Sequence, residues 1–216
     1  MIEMKSYAAS DIVSAVRECM DESGVNEAEL IGGTDDGNML STIKSKIADA
    51  MRYIFLSADA SLLEPTLKTE TATSGGVYSM ELPDDFLRLC MISVSGWSHP
   101  VFKVIPYDGK EYASLKNAYI TGRPDNPKVA LSFTDSGGSA KKCLELYSLP
   151  EGESSIKMYY MPEPSATLKS GVDYYDIPEK VYRGVVYYTA GLTLLTYKDD
   201  HASNLMTLAV QMVGGK

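Results

Sequence analysis

Few of the residues that carry chemistry are present. Only two histidines, His99 and His201, occur in 216 residues. Neither has a second histidine at the HxxxH or HExxH spacing that sets two imidazoles on one helix face. Cysteine is as sparse: Cys19, Cys90 and Cys143 are odd in number, far apart and never in a CxxC. A disulfide framework and a zinc site are therefore not expected. Cys19 and Cys90 stand among apolar neighbours and read as core residues. No stretch approaches the roughly 20 apolar residues of a membrane span, so no membrane partner is expected. Residues 1–10 lack a basic region followed by an apolar run, so no secretory leader is expected.

Basic blocks are also missing. The net charge is −9, and nowhere do Lys and Arg cluster. A groove that grips nucleic acid needs cations to neutralise phosphates, and this chain has no such stripe. Its acidic balance favours solubility and repels DNA and anionic membranes. The expected setting is a reducing cytoplasm, or a particle assembled there.

Catalytic signatures are lacking in turn. There is no GxSxG. Gly32-Gly33-Thr34 is not followed by the Lys-Ser/Thr of a phosphate loop, and no strand precedes it. Asp35-Asp36-Gly37-Asn38 has calcium-loop composition without the alternating ligands and the closing Glu. Asp, Gly and Asn equally build a loop or a helix cap. The acidic pairs Asp84-Asp85 and Asp199-Asp200 read as turns and caps, not as acid/base dyads. No cofactor, no metal and no catalytic residue are expected, and the chain does not read as an enzyme.

What the chain does have is tyrosine: 15 Tyr against four Phe and one Trp. Pairs stand at Tyr159-Tyr160, Tyr174-Tyr175 and Tyr187-Tyr188. Strand neighbours face opposite sides, so a pair on a strand sends one ring inward and one outward. Tyrosine suits interfaces, being apolar in body and polar at its tip. Tyr159, Tyr160, Tyr174, Tyr175 and Trp97 are candidate interaction residues, with Gly32 and Gly33 in a polar loop that a partner would order. Sugar binding and core edges are the other uses of such rings.

Apolar periodicity predicts helices over 9–22 (Ile12, Val13, Val16, Cys19, Met20) and 39–60 (Ile43, Ile47, Ala50, Met51, Ile54). Short runs rich in Val, Ile, Tyr and Phe predict strands near 67–71, 77–81, 87–95, 101–105, 128–133, 142–147 and 155–160, with a short helix within 107–117. Asp135-Ser136-Gly137-Gly138 is a hairpin turn signal. Ile177-Pro178-Glu179 then opens a helix with Pro at its first position, faced by Val181, Val185, Tyr188, Leu192 and Leu195. A last helix, 202–213, carries Leu205, Leu208, Ala209 and Met212. The expected fold is α+β. Residues 1–65 and 178–216 form a helical bundle, and 66–177 form an inserted antiparallel β-sandwich or barrel-like region.

Three segments resemble head-to-tail adaptor, or connector, ring proteins of tailed bacteriophages, as in short-tailed and crAss-like phages. Leu82-Pro83-Asp84-Asp85-Phe86-Leu87-Arg88-Leu89, followed by Ile92-Ser93-Val94-Ser95-Gly96, looks like the start of the adaptor β domain. Tyr119-Ile120-Thr121-Gly122-Arg123-Pro124-Asp125-Asn126-Pro127, ahead of a hairpin ending Leu144-Glu145-Leu146-Tyr147, is similar to the family's GxP segment. Ile156-Lys157-Met158-Tyr159-Tyr160-Met161-Pro162-Glu163-Pro164, then Ile177-Pro178-Glu179, looks like its join to the C-terminal helices. The resemblance covers about residues 82–197 and rests on order and spacing. It implies a structural virion protein: a homo-oligomeric ring, twelvefold, under the portal protein. Tail or second-ring proteins would attach below, and DNA would pass through without specific binding. The alternative is a β-type ligand- or carbohydrate-binding module of a phage tail, using exposed aromatics near Trp97, Tyr107 and Tyr112.

Overall fold

A computed structural model describes residues 4–22, 36–73, 75–115, 117, 121–136 and 139–214. The fold is mixed α and β, with five α-helices and three antiparallel sheets of three strands among these residues. It divides into two units, Met1–Glu64 with Glu163–Lys216, and Pro65–Pro162.

In the first unit, helix α1 (Ala9–Glu22) buries Ile12, Val13, Val16, Cys19 and Met20, the residues its 3.6-residue period puts on one face. Helix α2 (Asp36–Ser57) buries Met39, Ile43, Ile47, Ala50, Met51, Ile54 and Phe55. Both pack against α4 (Glu179–Thr196), as does α5 (Ala202–Met212). Helix α4 is therefore buried on most sides, and its two buried threonine hydroxyls need partners. Thr189 donates to the Val185 carbonyl at 2.7 Å and Thr193 to that of Thr189 at 2.8 Å. Three residues expected to be inward are not: Leu195, Leu208 and Met212 are exposed.

The α4–α5 hairpin is close because its facing residues are small. Gly184 and Gly191 stand seven apart on α4, opposite Ala209 and Ala202, also seven apart on α5. A Cβ on Gly191 would lie 3.0 Å from the Ala202 carbonyl oxygen and 2.5 Å from Met206 Cγ.

A small sheet completes this unit. Strand β1 (Met4–Ala8) pairs antiparallel with β9 (Val172–Pro178), which pairs with β8 (Thr167–Lys169). Ser170 and Gly171 join β8 to β9, with φ of 51° and 77°. Two consecutive positive φ values are what a two-residue type I′ hairpin requires. This pairing corrects the expected boundary. Residues 163–177 lie with the helices, because β9 is held by the N-terminal strand β1. Pro178 likewise ends β9 and precedes α4 instead of opening it.

In the second unit, β2 (Thr66–Ala72), β7 (Ser154–Pro162) and β4 (Phe86–Val94) form one sheet in the order β2-β7-β4. Strands β3 (Gly76–Glu81), β6 (Ser139–Leu149) and β5 (Lys128–Ser136) form another, in the order β3-β6-β5. Both feed one core: Ala72, Leu89, Ile92, Val94, Ile156, Met158 and Tyr160 from the first, Met80, Val129, Leu144, Leu146 and Leu149 from the second. The segment 101–105, expected as a strand, makes only single bridges, Val101 to Ile92 and Ile105 to Ala130. It thus reaches from the edge of one sheet to the edge of the other. No barrel is closed among the described residues. The short helix α3 (Lys110–Ser114) follows this segment.

Candidate interaction surface

The period of two along β7 decides what its tyrosines do. Ile156, Met158 and Tyr160 point into the core, whereas Ser155, Lys157 and Tyr159 point out. Tyr160 is only 6% exposed, and its ring stacks on Phe86 with centroids 5.8 Å apart. Its hydroxyl donates to Asp85 Oδ1 at 3.2 Å. Burial, then the Asp85 carboxylate, raises its pKa. Tyr160 is thus a satisfied core residue. Tyr159 is half-buried on the outward face, opposite Leu67 of β2 and Met91 of β4.

The second pair alternates in the same way. Tyr175 is buried on β9, its pKa raised by burial and then by Asp173. Tyr174 is half-buried, with the Lys169 ammonium 5.5 Å from its ring centroid. The third pair lies on α4, where Tyr188 is buried against Tyr53, ring centroids 4.4 Å apart.

Trp97 belongs to a loop junction. Its indole Nε1 donates to the Ser148 carbonyl at 3.1 Å, and its ring packs on the core of the β unit. The neighbouring Ser98 donates to the Pro124 carbonyl through both its backbone N–H, at 2.8 Å, and its hydroxyl, at 3.1 Å. Ser148 in turn hydrogen-bonds the Gly122 carbonyl. So Ser98, two residues beyond the 82–96 segment, meets Pro124 of another resembling segment, and Ser148 at the end of β6 bonds both Trp97 and Gly122. Gly32 and Gly33 lie outside the described residues.

A polar cluster that no sequence pattern signalled sits on the β5–β6 face. Tyr147 donates to Glu145 Oε2 at 2.7 Å, and Tyr112 of α3 donates to Glu145 Oε2 at 3.1 Å. With Tyr112 donating there, the Ser132 hydroxyl supplies the proton in its 3.0 Å contact with Tyr112. Burial and then the Glu145 hydrogen bond push the Tyr147 pKa well up. The cluster fastens α3 over Leu115, Ala130 and Tyr147. Tyr112 is therefore engaged, and of the aromatics named for sugar binding only Tyr107 is open, edge-on to Phe133 at 5.0 Å.

His99 is exposed in the loop after Trp97. His201 precedes α5, where its backbone N–H and its Nδ1 lie 2.8 and 2.9 Å from Asp199 Oδ1. These contacts hold the Asp199 carboxyl below its ordinary pKa, the backbone bond foremost. Among the described residues, no three His, Cys, Asp or Glu side chains gather as a metal site, and no helix is long and apolar enough to cross a membrane.

The outward face of the β2-β7-β4 sheet is the surface these observations single out. Leu67, Tyr159 and Met91 form one row across its three strands, and Thr69, Lys157 and Ser93 form the next. Leu67 is 49% exposed. Strands β4 and β7 contain no carboxylate at all. The one on β2, Glu70, alternates with the outward residues and raises the pKa of Tyr78 on β3, after burial.

In comparisons with known proteins, no family model matches the sequence and no curated protein matches it.

Proposed function

We propose that this chain is a structural head-to-tail adaptor: a subunit of a ring that docks under the portal of a tailed phage and joins it to the tail, with DNA passing through the centre. In this reading the body of the subunit is a helical bundle built from both chain ends, with a β-sandwich inserted between them.

The observation that carries the reading is the division of charge between the two units. The helical unit holds ten basic and eighteen acidic residues, a net of −8, and the β unit ten basic and eleven acidic, a net of −1. A subunit of a closed ring must present two unlike faces, one to each neighbour, and a strongly acidic and a nearly neutral unit are suited to form them. An acidic surface towards a central channel makes no phosphate contacts, so DNA would slide past it. The order of the segments at 82–96, 119–127 and 156–164 adds the resemblance to adaptor proteins.

Recovery with the portal protein tests this. Purified chain mixed with its portal should elute with it as one large species in multi-angle light scattering. Elution as a free monomer beside the portal at every concentration tried would contradict the reading.

A further inference from the structure

We propose that the outward face of the β2-β7-β4 sheet receives the exposed face of helix α1 from the next copy of this chain. This assignment rests on the ring reading above and names the surface that would build it.

The receiving face is rich in donors and free of carboxylates. Its outward residues are Thr69 and Thr71 on β2, Ser155, Lys157 and Tyr159 on β7, and Ser93 on β4, with Leu67 and Met91 closing the row beside Tyr159. In a chain of net charge −9, a sheet face with an exposed lysine, hydroxyls and no acid is a local exception. It suits a ligand that offers carboxylates.

Helix α1 offers them. Its exposed positions are Ser10, Asp11, Ser14, Glu18 and Asp21, which are all hydroxyls or carboxylates. Asp11 and Glu18 are seven residues apart and so lie along one line of the helix, with Ser14 between them. The opposite face of α1 is spent on the core through Ile12, Val16 and Met20. Within its own chain, Asp11 accepts only a long bond from the Ser10 hydroxyl, 3.4 Å, and with Glu18 raises the pKa of Tyr182 after burial and Tyr7, while both carboxylates stay exposed.

Charge also selects the occupant. Two helical units of −8 repel each other, and two β2-β7-β4 faces offer each other donors without acceptor charge. Only the head-to-tail pairing brings Lys157 of one copy to Asp11 and Glu18 of the next. That pairing joins different surfaces, and a heterologous contact of this kind generates a ring when its rotation closes.

Charge reversal tests the contact, with portal protein present and assembly read by mass photometry. Lys157→Glu alone and Glu18→Lys alone should each lose the assembled species while melting like the wild type, since both side chains are exposed. The double variant Lys157→Glu/Glu18→Lys should recover it. If the wild type assembles and the single variants assemble equally well, this surface is wrong and the ring reading stands. Loss in the single variants without recovery in the double variant also overturns the pairing. A wild-type chain that never assembles overturns the ring and this surface together.

Discussion

Gly191 lies against Ala202 so closely that a Cβ at 191 would stand 3.0 Å from the Ala202 carbonyl oxygen. The backbone of α5 cannot yield there without moving the whole helix, whereas Met206, at 2.5 Å, can swing its flexible chain away. Gly191→Ala gains about 1 kcal/mol of helix propensity and loses about 1–3 kcal/mol to overpacking. The expected result is a net loss of stability, about 1 kcal/mol, in urea unfolding. A stabilised variant would show that the two helices are not held at this distance.

Ile47 has no exposed surface and sits on the buried face of α2. Ile47→Asp puts an unpartnered carboxylate in that core. The expected cost is about 3 kcal/mol or more, read as a lower urea midpoint. A change within a few tenths of a kcal/mol would mean that this face is not packed.

Tyr188 gives a pH dependence. Burial, and then the adjacent Tyr53, pushes its pKa up to about 12 from an ordinary 10. The folded state therefore holds this proton more tightly than the unfolded chain does. The corresponding stability is fully present below pH 10 and is lost as pH rises from 10 towards 12. Tyr188→Phe removes the ionisable group, so part of the alkaline fall should disappear in melts taken between pH 9 and 12. Identical alkaline limbs for the two proteins would remove Tyr188 from this account.

These tests lean on parts of the fold that the sequence showed unequally. Helix α1 was legible to its ends, because five apolar residues mark one face and Ser23-Gly24 follows it. The strands of the β unit were legible from their Val, Ile and Tyr runs, apart from 101–105, whose ends bridge two different sheets. Strands β1, β8 and β9 carried no alternation strong enough to read. They are short, and they exist because the N-terminal segment pairs with residues 174–178, a contact far apart in sequence. The seven-residue spacing of Gly184 and Gly191 against Ala202 and Ala209 is itself a sign of a close helix pair, masked in the sequence by the larger apolar residues around it.

The candidate surface was legible only in part. Tyr159 was named, and the alternation rule separates it from Tyr160. Its companions Leu67 and Met91 reach it through strand register, and no local pattern gives the register of β2, β7 and β4. Trp97 is the one tryptophan of the sequence, and its indole is used within the β unit.

Symmetry is the most direct test of the adaptor reading. Purified chain bound to its portal should be imaged by cryo-microscopy and sorted into two-dimensional class averages. The account predicts a closed ring of this chain coaxial with the portal, twelvefold as the resemblance implies, with DNA-facing residues acidic or neutral. Averages showing only isolated monomers, or this chain at the capsid surface or fibre tips of a virion, would contradict it.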